Sequence, residues 1–131
     1  MTEFALRDGQ SPTYGGSITG LVGVTGDILT FTAPTTQGRV MKLIRLSVTA
    51  AATAATMLNL TLVKRSTVDT GGTSAPVSTT PYNPRGPAAS TVVTSYTVAP
   101  TPGTIIGTAI RAVKFTLALA ATGQAVAQTW Q

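Results

Sequence analysis

The chain contains no histidine and no cysteine, and its only carboxylates are Glu3, Asp8, Asp27 and Asp69. Without cysteine there is no disulfide framework and no thiolate metal site. Without histidine, the usual proton-transfer group near neutral pH is missing, and neither a Ser-His nor a Cys-His nucleophile can be assembled. Paired-carboxylate catalysis would need two of the four acids to converge. Glu3 and Asp8 fall in the N-terminal segment, Asp27 at a strand start and Asp69 in a loop, where turns and surface ion pairs are the simpler roles. Asp69 beside Gly71-Gly72 could hold a calcium ion in principle, but the spacing matches no ligand loop. The glycine-rich stretches carry no phosphate-cradle motif, so no cofactor is expected. These shortages argue against an enzyme.

Charge is scarce as well. Only 10% of residues are charged, where a soluble domain commonly carries ~25%. Nine basic residues against four acids leave a net charge of +5. The bases are scattered singly except for Lys64-Arg65, with no basic run and no interleaved aromatics. That pattern points away from nucleic acid and toward a positive face meeting an acidic protein surface. A surface of threonine, serine and small apolar residues suits a component that meets neighbours. No uncharged apolar run approaches the ~18–20 residues of a membrane helix. Met1 to Asp8 carries charges of both signs, unlike a signal peptide. The expectation is a soluble chain of one β-domain.

What is present is strand-forming sequence. Asp27 to Ala33 alternates, with Leu29, Phe31 and Ala33 on one face and Pro34 as a stop. Arg39 to Thr49 reads as a longer strand with Val40, Ile44, Leu46 and Val48 facing one way. Thr56 to Arg65 turns Leu58, Leu60 and Leu62 inward and Asn59 and Thr61 outward. Thr91 to Ala99 offers Val92, Tyr96 and Val98 against Thr91, Ser95 and Thr97. Ala109 to Ala121 sets Val113, Phe115, Leu117 and Leu119 opposite Lys114, Thr116 and Ala118, and Gln124 to Trp130 supplies a last strand. The Ala-rich stretch from Thr49 to Met57 lacks an amphipathic stripe and reads as a connection.

Two stretches read as irregular. Residues 9–26 are rich in Gly, Ser and Thr, so residues 1–26 are expected to form an extended N-terminal arm ahead of a domain spanning 27–131. Residues 66–90 form a long loop with Gly71-Gly72 and Pro76, Pro81, Pro84 and Pro87. Proline cannot donate to a ladder, so any strand near Pro76–Pro81 must sit at an edge. Short strands separated by Gly/Pro turns predict an all-β fold, an antiparallel β-sandwich of jelly-roll type. An immunoglobulin-like sandwich is the alternative. Tyr82, between prolines with Asn83 and Arg85 close by, is the best single position for an interface hot spot.

The run Lys64-Arg65-Ser66-Thr67-Val68-Asp69-Thr70-Gly71-Gly72-Thr73, together with Tyr82-Asn83-Pro84, Ala88-Ala89 and Tyr96-Thr97-Val98-Ala99-Pro100-Thr101-Pro102-Gly103, resembles small β-rich structural proteins encoded by tailed bacteriophages. The likeness covers the middle of the chain and carries no catalytic signature. It implies a virion component: a capsid decoration (cement) protein, a head fibre or a tail part. A decoration protein would bind the major capsid protein or another virion protein as a homotrimer and stabilise the assembled lattice by mass action. Arg39, Arg45, Lys64, Arg65 and Arg85 would then complement an acidic shell, with the arm lying across a neighbour. A fibre module would instead bind a host glycan through a groove lined by Tyr82, Asn83 and Arg85.

Overall fold

The computed structural model describes residues 2–8, 11–19, 25–33, 41–50, 56–86, 88–117 and 126–130. All regular structure among them is β. The strands are β1 (Thr2–Asp8), β2 (Ser11–Ile18), β3 (Leu29–Thr32), β4 (Met41–Ala50), β5 (Thr56–Leu62), β6 (Thr73–Pro76), β7 (Thr80–Pro81), β8 (Val92–Val98), β9 (Arg111–Leu117) and β10 (Val126–Trp130). They form a five-stranded sheet in the order β10-β4-β1-β2-β7, a three-stranded sheet β3-β8-β6 and a two-stranded ribbon β5-β9. Every pairing is antiparallel. No helix among the described residues is long and apolar enough to cross a membrane.

Thr2–Asp8 and Ser11–Ile18, expected to lie ahead of the domain, sit inside its largest sheet. β1 pairs with β2 on one side and β4 on the other, and Phe4 and Tyr14 are among the most deeply buried side chains. The alternation of β2 is hidden in the sequence because Gly15 and Gly16 stand where side chains would signal a strand. Each glycine leaves room for a ring. A Cβ on Gly15 would come within 2.5 Å of the Tyr82 ring, and one on Gly16 within 2.6 Å of Phe4. Consecutive strand residues face opposite sides, so the pair seats one ring on each face of the sheet.

The core draws on both larger sheets. Phe4, Tyr14, Leu46 and Val93 form its buried cluster, and Leu29, Phe31, Leu43, Val48 and Val77 pack against it. Phe4 and Phe31 meet edge to face, with ring centroids 5.2 Å apart and planes at 77°, a geometry contributing about 0.5–1.5 kcal/mol beyond area burial. The Tyr14 hydroxyl donates to the Ala88 carbonyl at 3.3 Å. Leu29 and Phe31 thus face the core as their alternation requires.

Two strand faces differ from the sequence reading. In β4, Ala5 pairs with Arg45 and Leu6 with Leu43, so Ile44 is an extra residue in a β-bulge. The bulge resets the parity: Ile44 is exposed, while Leu43 takes the core-facing place expected for it. In β8, Val93 and Thr91 are buried, whereas Val92 and Val98 are exposed. Valines at both 92 and 93 made the two faces equivalent by alternation, and pairing of Val93 with Phe31 of β3 decides between them. Tyr96 is buried, as expected for a core residue.

Within the 66–90 stretch, β6 and β7 are short and terminal in their sheets, where Pro76 and Pro81 leave no ladder bond unmade in an interior strand. Residues 34–40, 51–55 and 118–125, which include Arg39, Val40, Leu119 and the Ala-rich connection, lie outside the described residues.

Candidate functional site

The described surface offers three sites of interest. The first is an open depression of about 510 Å³ on the outer face of the five-stranded sheet, lined by Glu3, Gly15, Ser17, Arg45, Thr80 and Tyr82 among others. A second depression, about 470 Å³, adjoins it and shares Arg45 and Tyr82, with Ala5, Thr13 and Ile44 completing its wall. Tyr82 is 59% exposed, yet its position is fixed. Its backbone N–H donates to the Thr13 carbonyl at 2.9 Å, and its ring lies over Gly15. Arg45 points to the same face, opposite the buried Leu46 in the alternation of β4.

Asn83 and Arg85, expected to share a groove with Tyr82, are exposed but line neither depression. The Asn83 side-chain oxygen accepts the Arg85 backbone N–H at 3.1 Å, and its carbonyl accepts the Gly86 N–H at 2.8 Å. The amide is therefore spent on its own turn. The structure brings together Arg45 and Tyr82 of the expected residues; Lys64 and Arg65 lie elsewhere, on the extension of the β5 strand.

The second site is a charge cluster built around Arg65. Its guanidinium forks onto Asp27, with Nε to Oδ2 and Nη2 to Oδ1 both at 2.7 Å, and donates through Nη1 to the Gly103 carbonyl at 2.6 Å. Asp69 stands 3.6 Å from Nε with its side chain only 2% exposed. Its Oδ1 accepts the Gly103 N–H at 2.9 Å, while its buried Oδ2 has no hydrogen-bond partner. Burial raises the Asp69 pKa above its ordinary value; the Gly103 N–H opposes this, the adjacent Asp27 carboxylate adds to it, and Arg65 pulls it down. The hydrogen bonds to Asp27 raise the Arg65 pKa, so the guanidinium stays charged throughout.

Arg65, expected to face a partner, is thus an internal tie. It joins the segment before β3 to the two chains that continue the ribbon. A local reading could not find this, because Asp27 and Gly103 are both distant in sequence. The two carboxylates also cannot serve as a cation site while the guanidinium occupies the space between them. Among the described residues there is no cluster of three metal-ligating acids.

The third site is the ribbon itself. β5 and β9 pair over their full length, from Thr56↔Leu117 to Leu62↔Arg111. Backbone bonds continue the pairing: Ile110 N–H to Leu62 carbonyl, Ile106 N–H to Lys64 carbonyl, then the Arg65↔Ile105 and Thr70↔Thr101 bridges. Leu58, Leu60, Leu62 and Val113 are half-buried, as expected from their alternation, and Asn59, Thr61 and Lys114 are exposed. The ribbon also carries exposed large apolar residues, Met57 at 69% with Val68, Ile105, Ile106 and Ile110. Lys64, Arg111 and Lys114 are exposed among them. Sequence reasoning passed over Met57, the isoleucines and Arg111; the signal was a loop of aliphatic residues, Ile105-Ile106 and Ile110, in a segment with no burial pattern.

Compared with protein-family models, with curated proteins and with solved structures, the chain matches none.

Proposed function

We propose that this chain is a structural protein of a tailed-bacteriophage virion, a sandwich-like β-domain that binds and stabilises the assembled head as a decoration (cement) protein. One observation carries the reading: on a chain with only 10% charged residues, large aliphatic side chains of β8 and the β5–β9 ribbon are left exposed while few of the described side chains are fully buried. A surface of that kind is covered by a neighbouring protein in an assembly. The bacteriophage resemblance supplies the class of assembly. Binding the lattice and not its dissociated subunits shifts the equilibrium toward the closed shell, so the mechanism needs no chemistry.

Light scattering after size-exclusion tests the expected homotrimer, and co-sedimentation with emptied phage heads tests binding. Saturation at a fixed number of copies per head is the expected result, and absence from the head pellet overturns the reading. A second reading, a fibre module that binds a host glycan, is favoured by the exposed Tyr82 ring beside Arg45, since aromatic rings stack on sugars. It predicts that Tyr82→Ala abolishes binding on a glycan array and leaves head binding intact.

A further inference from the structure

We infer that the β5–β9 ribbon is the element that docks, and that its partner is an acidic protein surface with apolar patches. The inference rests on the decoration reading and specifies its contact site.

Charge defines the partner. Lys64, Arg111 and Lys114 are exposed on the ribbon and its extension, and the only acid in residues 56–70 and 101–117, Asp69, is buried against Arg65. The ribbon is therefore positive without compensation. Among the described side chains a second copy of this chain offers little complement: Asp27 and Asp69 are both committed to the Arg65 cluster, which leaves Glu3 as the one exposed acid among them. Two ribbons face to face would oppose like charges, at a cost in affinity.

Apolar chemistry excludes the other classes of partner. Met57, Ile106 and Ile110 are exposed on the same ribbon and its extension, and aliphatic groups gain nothing against a phosphate backbone. The ribbon also has two backbone edges with no ladder partner among the described residues, since β5 and β9 pair only with each other. Inserted into lipid, those edges would leave N–H and C=O groups unsatisfied, each at a cost of several kcal/mol. A protein surface can pair an edge by strand addition while covering the isoleucines. Exposed cations, exposed aliphatics and open edges on one ribbon together describe a protein-binding element.

The test compares two sets of variants of the full chain for co-sedimentation with emptied heads of the phage that encodes it. Arg111→Glu with Lys114→Glu, and separately Ile106→Ser with Ile110→Ser, change only exposed side chains, and circular dichroism with thermal melting checks that each folds. Each pair is expected to weaken head binding about tenfold or more, whereas Lys42→Glu, exposed on β4 of the five-stranded sheet, leaves it unchanged. If wild-type chain binds heads and the ribbon variants bind equally well, the ribbon assignment is wrong and the decoration reading stands. If wild-type chain fails to bind heads, both fall. Vesicles of phosphatidylcholine with phosphatidylserine and a short DNA duplex are run in parallel. Tighter ribbon-dependent binding to either than to heads also overturns the assignment.

Discussion

Replacing Arg65 by methionine keeps most of the side-chain volume and removes the charge that holds three chain segments together. The loss can be worked from the contacts. The two 2.7 Å bonds to Asp27 are charge-assisted, but the side chains are 15% and 19% exposed, so the low end of the range applies, about 1.5 kcal/mol. The Gly103 carbonyl loses its 2.6 Å donor, about 1 kcal/mol for a partly buried acceptor. Asp27 and Asp69 are then left facing each other without the cation between them, a further ~1 kcal/mol of repulsion at an intermediate dielectric. The combined effect is roughly 3.5 kcal/mol, a large share of the ~5–15 kcal/mol that holds a domain folded. Urea unfolding followed by circular dichroism measures it as a lower midpoint with an unchanged slope. Adding Asp27→Asn should restore part of the loss, because the orphaned carboxylate is then neutral, and the double-mutant cycle should give a coupling of about 1.5–2 kcal/mol. Should Arg65→Met lie within about 0.5 kcal/mol of wild type, the cluster is ornamental and the reasoning about its role as a tie is wrong.

The raised Asp69 pKa means that the folded chain holds that proton more tightly than the unfolded chain does. Its contribution to stability is therefore greatest below the ordinary carboxylate value and declines as pH rises through the raised one. Asp69→Asn should remove that decline, seen as a flatter stability profile across mildly acidic pH; an unaltered profile would refute the assignment. Two glycine substitutions should differ sharply. Gly103→Ala drives a Cβ into the Thr67 backbone carbonyl, which cannot yield, and should cost about 2–3 kcal/mol of stability. Gly15→Ala meets only the exposed Tyr82 ring, which can swing aside, so stability should change by less than about 1 kcal/mol while the Tyr82 ring resonances move. Deleting residues 1–20 removes both β1 and β2 from the five-stranded sheet, together with Phe4 and Tyr14. The truncated chain should lose its cooperative thermal transition, whereas a detachable arm would leave that transition in place.

Strand alternation was legible wherever one face met the core and the other met solvent. Leu29 and Phe31, and Leu58, Leu60 and Leu62, read correctly for that reason. It failed where the backbone departs from period two or where both faces carry similar residues. The bulge at Ile44 adds one residue and inverts everything beyond it, and nothing in Met41 to Ala50 announces a bulge. Adjacent Val92 and Val93 leave the choice of face to a partner strand that is distant in sequence. The N-terminal hairpin was invisible because Gly15 and Gly16 owe their place to the rings of Tyr82 and Phe4. Of the candidate site, the exposure of Tyr82 and its nearness to Arg45 come from a long-range strand pairing. The capture of Arg65 by Asp27 depends on a contact that no local pattern encodes. Charge scarcity, by contrast, was plain from composition and remains the main support for an assembly role.

The placement of β4 has a consequence for how the chain is made. β4 receives β1 along one edge and β10 along the other, so the first of its neighbours leaves the ribosome before it and the second long after. Until β10 emerges, Leu46 and Val48 lie in a strand whose second edge is open to any passing partner. Closing that edge requires contacts between residues far apart in sequence, which slows folding. Newly made copies at high concentration would compete for the same edge. Low temperature during expression, which slows such encounters more than it harms the fold, should raise the yield of soluble chain.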